Sequence, residues 1–252
     1  MIYETHGRAQ EYFDLAANLY GTCEHACRYC YAPEVLHMKP DDFFRRGVPR
    51  TRALENLAED ARRLAKRGER RHVLLSFVTD PYQPAEAEFQ LTRKAIEVIH
   101  KYGIFVAILT KGGLRATRDF DLLTEFDLFG VSLTCQEPKT ILRWEPNVPL
   151  FYDRIESLRQ AKERGIPTWV SCEPVPEPVE TLALIEKAAP WTDVFKVGTL
   201  NYQEEARRIN WRNFGQDAVK LLDSLGKSYY IKKDLARFLG QPEGITKGII
   251  PK

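Results

Sequence analysis

The sequence predicts an α/β fold, a parallel sheet with helices packed outside it. Strand-length apolar runs alternate with helix-length segments, the helical segments keep their apolar residues on one face, and several close at a glycine. In order, residues 14–20 read as a first strand. Residues 52–67 read as a helix with Leu54, Leu57, Ala58, Ala61, Leu64 and Ala65 on one side. Residues 72–78 form a second strand, continuously apolar as a strand covered on both faces should be. A helix over 92–102 stops at Gly103, a third strand covers 104–109, a short helix 119–125 and a fourth strand 128–133. The helix over 150–164 ends at Gly165, and strand 168–172, helix 179–188 and strand 193–197 follow. A helix over 213–225 closes at Gly226, 228–231 adds a seventh strand and 233–239 a last helix. Six or seven such units fit an incomplete or slightly extended barrel better than a closed eight-fold one. With no linker and no low-complexity segment, residues 1–252 read as one domain, with a barrel core over 14–232 and a loose tail over 240–252.

Composition narrows the class. A chain of 252 residues with 44% hydrophobic and 29% charged residues is globular and long enough for one barrel. No apolar run approaches the ~18 residues of a membrane span, and the N-terminus has neither the basic start nor the apolar core of a signal peptide. Five cysteines in such a chain suit a reducing cytoplasm and metal or redox use. A net charge of +2 gives no argument for nucleic acid.

Three of the five cysteines, Cys23, Cys27 and Cys30, stand at C-x3-C-x2-C just after the first strand. Three thiolates on one short loop can hold three corners of a cubane cluster. A [4Fe–4S] cluster takes four such ligands, so one iron would remain for a non-protein group. The spacing, with the aromatic Tyr29 before the last cysteine, resembles the radical S-adenosylmethionine (SAM) superfamily. The resemblance implies a partial (β/α)6 TIM-like barrel, a [4Fe–4S] cluster on Cys23, Cys27 and Cys30, and SAM on the open iron. It also implies reductive cleavage of SAM to methionine and a 5′-deoxyadenosyl radical, with a reductant such as flavodoxin or ferredoxin. The alternative reading of the loop is a Cys3His zinc site, for which His25 would have to fold back.

The strand ends supply the remaining candidates, since barrel chemistry sits at the carboxyl ends of strands. The run 79–84, Thr-Asp-Pro-Tyr-Gln-Pro, reads by itself as a turn or a binding loop. It is similar to a stretch of the superfamily group related to spore photoproduct lyase. That similarity implies that Thr79 and Asp80 grip the methionine amino group, that Lys111 contacts its carboxylate, and that Ser132 bonds the ribose or carboxylate. Thr134 shares a strand face with Ser132, and Glu173 is a candidate for ribose hydroxyls or substrate. Val197, Gly198, Thr199 and Leu200 fit the place where superfamily members hold adenine. Arg143 in Arg-Trp-Glu-Pro is suited to a substrate anion or to a pair with Glu145, and Tyr230, Lys232, Lys233 and Asp234 to the barrel mouth.

Cys135 and Cys172, each at a strand end, read as small buried hydrophobes or as hydrogen-atom donors to a product radical. In the lyase a cysteine precedes the run after strand two, where this chain has Phe77 and Val78. The chain is therefore expected to be lyase-related in architecture rather than a lyase by function. The basic run 62–72 falls at a helix end, where cations complement the helix dipole. The expected activity is hydrogen abstraction from a nucleobase or nucleic acid, or from a small metabolite or peptide. The alternative from another class is a non-catalytic, zinc- or cluster-stabilised nucleic-acid-binding protein.

Overall fold

A computed structural model of the chain describes residues 1–250. Among the described residues nine strands form one sheet in strict sequence order: β1 (Ile2–Glu4), β2 (Leu15–Ala17), β3 (Val73–Leu75), β4 (Val106–Thr110), β5 (Leu128–Ser132), β6 (Thr168–Cys172), β7 (Val194–Val197), β8 (Ser228–Ile231) and β9 (Ile245–Lys247). Neighbours from β2 to β8 are parallel, while β1 and β9 close the two ends antiparallel. The edge strands β1 and β9 do not pair with each other, so the barrel is open.

The crossovers carry the helices. Between β2 and β3 lie α1 (Ala32–Val35), α2 (Pro40–Phe43) and α3 (Ala53–Lys66), and between β3 and β4 lie α4 (Glu86–Phe89) and α5 (Leu91–Lys101). Then α6 (Pro138–Trp144) and α7 (Phe151–Glu163) follow β5, α8 (Pro178–Ala188) follows β6, α9 (Trp211–Ser224) follows β7, and α10 (Lys233–Ala236) follows β8. On α3, Leu57 and Ala61 of the expected face are buried together with Ala53 and Asp60, while Leu54, Ala58, Leu64 and Ala65 are half-buried.

Strand alternation sorts the side chains into two layers. Val73, Leu75, Val106, Ile108, Phe129, Val131, Val170, Phe195 and Ile231 pack outward against the helices. Leu74, Ala107, Leu128, Trp169 and Val194 fill the barrel interior with Tyr12, Phe13 and Ala16. Gly130 makes room for this filling, because a Cβ there would lie 2.3 Å from the Trp169 indole.

Several sequence expectations are corrected. No helix covers 119–125; a 3-10 segment, Gly113–Asp119, makes that crossover and turns follow it. Within the expected loose tail over 240–252, of which 251–252 lie outside the described residues, 245–247 form β9, paired with β8. The second strand is shorter than its apolar run. Ser76 takes a left-handed φ of 56°, and the Asn18 carboxamide oxygen accepts the Phe77 and Val78 N–H groups at 2.8 and 3.0 Å, which ends the ladder.

At the amino end, fully buried Asp127 accepts hydrogen bonds from Val106 N–H and Thr124 N–H, both at 2.8 Å, and contacts His100 Nε2 at 2.9 Å. Burial raises its pKa, but His100 and these donors outweigh burial and hold it below the usual value. Its contribution to stability is therefore complete above the unfolded value of about 4 and is lost as pH falls through the lower folded value. Urea melts of Asp127→Asn should show a loss of about 1–3 kcal/mol at neutral pH. The difference from wild type should shrink below about pH 4.

Candidate active site

The cysteine loop leaves the carboxyl end of β2 and is tied down on every side. Thr22 Oγ1 donates to Arg46 O at 2.8 Å, and the Gln83 carboxamide clamps the loop by donating to Thr22 O at 3.1 Å and accepting Glu24 N–H at 3.0 Å. Cys23 N–H reaches Phe43 O at 3.1 Å, Arg28 N–H reaches Trp144 O at 2.9 Å, and Cys30 N–H turns back to Cys27 O at 3.0 Å. All three thiols are unbridged and line one cavity of about 620 Å³. Burial pushes the Cys23 thiol up to about 12 and raises Cys27 and Cys30, so ligating a metal means displacing their protons.

His25 is the residue that sequence reasoning placed only in a zinc alternative. Its ring is buried, with Nδ1 3.5 Å from Asp80 Oδ2 and Nε2 3.3 Å from Arg115 Nη2. Burial lowers its pKa to about 4, so the neutral ring faces Asp80 with one nitrogen and accepts from Arg115 with the other. Among the described residues no three His, Cys, Asp or Glu side chains gather as a single metal ion needs.

Alternation decides which other candidates reach the cavity. Tyr29, Thr79, Asp80, Lys111, Ser132 and Glu173 line it. Thr134, Val197, Gly198, Thr199 and Leu200 do not. Val197 and Leu200 belong to the helix-side layer, and Thr199 turns to Asn201. Gly198 serves the site indirectly: a Cβ there would stand 2.4 Å from Glu173 Oε1, so glycine admits that carboxylate. Cys135 and Cys172 are also outside, fully buried in the helix-side layer. One step along β6 separates Cys172 from the inward Ser171, and that step turns the thiol away.

Asp80 holds the loop together. Its Oδ1 accepts from Thr110 Oγ1 at 2.6 Å and Tyr82 N–H at 2.8 Å, and its Oδ2 from Lys111 N–H at 2.6 Å. Thr79 Oγ1 and Ser76 Oγ are buried in the cavity wall with no hydrogen-bond partner among the described residues. Ser76 was missed in the sequence, although it follows Leu74 at the two-residue period. The Lys111 ammonium lies 5.7 Å from the Tyr29 ring centroid. Burial opposes its charge, but Cys27, Glu145 and Asp80 hold its pKa above the usual value.

Beneath the loop, Glu145 and Arg154 form a salt bridge with both side chains fully buried. Glu145 also accepts hydrogen bonds from the Tyr29 hydroxyl and, at 2.7 Å, from Thr134 Oγ1. Arg154 donates to Ser132 O at 3.1 Å and Pro149 O at 3.0 Å. The expected alternative partner Arg143 instead lies on the surface, bonded to Glu205 at 3.2 Å.

Across the cavity Glu173 pairs with Lys232 and accepts from the Tyr12 hydroxyl at 2.6 Å. Residues 8–11 and 230–234 meet beside this wall. Arg8 pairs with Asp234 at 2.8 Å, and Glu11 accepts from Tyr230 Oη at 2.9 Å and Lys233 N–H at 2.8 Å.

Residues 17–191 match the model of the Radical SAM superfamily. The chain belongs to that superfamily, and it is an enzyme of the radical SAM class. It is 30% identical to an uncharacterized protein of Methanocaldococcus jannaschii over 73% of this chain and 69% of that protein. It is 33% identical to an uncharacterized protein of Mycobacterium tuberculosis over 65% of this chain, a match that spans only 50% of that relative. Its fold is similar to that of a spore photoproduct lyase mutant with bound AdoMet and dinucleoside spore photoproduct, with TM-score 0.62, 19% identity, and 87% and 65% of the two chains covered. Streptococcus suis SuiB bound to S-adenosylmethionine gives TM-score 0.63 at 11% identity, with 85% of this chain and 45% of that chain covered. No helix among the described residues is long and apolar enough to cross a membrane.

The buried pair makes a sharp prediction. Arg154→Leu strands Glu145 and should cost about 3–5 kcal/mol in urea unfolding, whereas the Arg154→Leu/Glu145→Leu double variant should recover part of it.

Proposed function

We propose that the chain cleaves SAM reductively with a [4Fe–4S] cluster held by Cys23, Cys27 and Cys30, and so takes hydrogen from a substrate in the barrel. Held by these residues, the cluster and SAM would supply one-electron cleavage of the sulfonium to methionine and a 5′-deoxyadenosyl radical. The observation that carries this reading is the donor set. Three unbridged thiols from one loop share a cavity with two buried, unpartnered hydroxyls, while the other two cysteines are turned away.

The chain's own residues take distinct parts. The Thr79 and Ser76 hydroxyls and Lys111 are suited to the amino and carboxylate groups of the methionine end. Ser132 is suited to the ribose or carboxylate. Asp80 and Thr134 act through their neighbours, Asp80 by fixing the 79–84 turn and Thr134 by orienting Glu145 under Tyr29. Glu173, with Lys232 and Tyr12, offers a polar wall for ribose hydroxyls or substrate. Tyr3, Tyr12, Tyr31, Phe77 and Tyr202 also line the cavity, and these aromatic faces favour a planar ring such as a nucleobase, free or within nucleic acid. The dinucleoside bound by the lyase of similar fold supports the same class. A flavodoxin- or ferredoxin-like protein in the cytoplasm would supply the electron.

Anaerobic reconstitution with iron and sulfide, then dithionite and SAM, should release 5′-deoxyadenosine, and Cys27→Ala should abolish both the cluster absorbance and this product. About one zinc per chain with no reducible cluster would overturn the assignment in favour of a binding protein. Lys111→Met should weaken SAM binding about tenfold or more by equilibrium dialysis, through loss of a charge-assisted contact.

A further inference from the structure

The outer side of the cysteine loop carries a surface that the cavity does not use. Arg28, between Cys27 and Tyr29, is exposed, and its guanidinium carbon lies 4.8 Å from the Trp144 ring centroid. The Arg143 guanidinium covers the same indole at 5.3 Å. Trp144 is fully buried, with its ring 6.4 Å from that of Tyr29. Cation, indole and phenol thus run from solvent to the residues flanking Cys27 and Cys30. Arg28, Arg143 and Trp144 do not line the cavity, so a molecule on this face leaves the substrate entrance free.

The charge of this face is positive. Arg28 and Arg143 share a single carboxylate, Glu205, at 2.8 and 3.2 Å. Lys139, Arg207 and Arg208 are exposed on the adjoining segments, against Glu137 and Glu204. Leu142 is 67% exposed between Lys139 and Arg143, an apolar centre within a charged rim. The denser basic run at 62–72 is a poorer candidate, since it lies on α3 and the loop entering β3, at the amino ends of the strands. Arg63 there is paired with Asp60, and Arg71 with Glu4 and Glu69.

We propose that the Arg28–Trp144–Arg143 face docks an acidic one-electron carrier protein. The proposal rests on the cluster assignment above. In the transfer the carrier's reduced centre loses one electron and the group on Cys23, Cys27 and Cys30 gains it, with no bond made or broken. A charged rim of this kind acts mainly on association rate and its salt dependence.

The test uses reconstituted holoprotein and an acidic flavodoxin as probe, with the variant Lys139→Glu/Arg207→Glu/Arg208→Glu. These three side chains lie outside the Arg28–Trp144–Arg143 stack. Affinity for flavodoxin by titration calorimetry, and cluster bleaching by flavodoxin hydroquinone in stopped flow, should both fall about tenfold at low salt. The difference should fade by about 0.5 M salt, bleaching by dithionite should match wild type, and Arg62→Glu/Arg67→Glu should show no effect. Wild-type behaviour of the triple variant with flavodoxin, or the same loss in the double variant, would overturn the proposal. So would a triple variant that loses affinity for a single-stranded oligonucleotide while flavodoxin reduces it normally, which would assign the face to nucleic acid. Holoprotein that flavodoxin bleaches at this face but that never cleaves SAM would support the docking surface and defeat the function proposed above.

Discussion

The head of the barrel depends on one ion pair that water never reaches. Arg154 and Glu145 are both fully buried, and between them they tie four segments together: the cysteine loop through Tyr29, the end of β5 through Ser132 O and Thr134, the start of α7, and the link before it through Pro149 O. Taking two charges out of water is costly, and a well-packed apolar pair of the same volume is often no less stable. What such an apolar pair would lack is direction. Three guanidinium donors reach Pro149 O, Ser132 O and Glu145, and the Glu145 carboxylate accepts from Tyr29, Thr134 and Arg154, so directional bonds hold the loop that presents Cys23, Cys27 and Cys30.

The sheet was legible because its signal is periodic. Strand β6 spans 168–172 and β8 spans 228–231, as their apolar runs predict, and the parallel order follows from a helix in nearly every gap. The edge strands were not legible. Ile-Tyr-Glu and Ile-Thr-Lys are three residues long, too short to show a period, and they become strands only because β2 and β8 offer open edges. The 119–125 helix failed for a related reason: the 3-10 turns of 113–119 had already made that crossover.

At the site, the sequence displayed whatever lies on a short motif and concealed whatever depends on a long-range partner. The cysteine spacing and the 79–84 run are local, and the structure gathers both at one cavity. Glu145 looked like a companion of Arg143, two positions away, but its partner Arg154 sits one helix later. Gly198 looked like part of a cofactor loop, but its smallness answers to Glu173, just past the end of the neighbouring strand β6. For Cys135 and Cys172 the inward or outward choice turned on a single residue of register, which a strand-end position alone does not fix.

The clasp between residues 8–11 and 230–234 lies outside the superfamily match, and so does part of the cavity wall. The cysteines, the 79–84 turn, Lys111 and Ser132 lie within the superfamily match at 17–191, whereas Tyr3, His6, Arg8, Tyr12, Tyr202 and Lys232 lie outside it. Arg8 is braced on its own side, to Asp234 and Tyr202, but Tyr12 and Lys232 bond to Glu173 and Tyr3 to Asn18, both within the match. A change to the outer wall at Arg8 or Tyr202 therefore leaves the inner half as it stands, whereas one at Tyr12 or Lys232 has to be matched at Glu173.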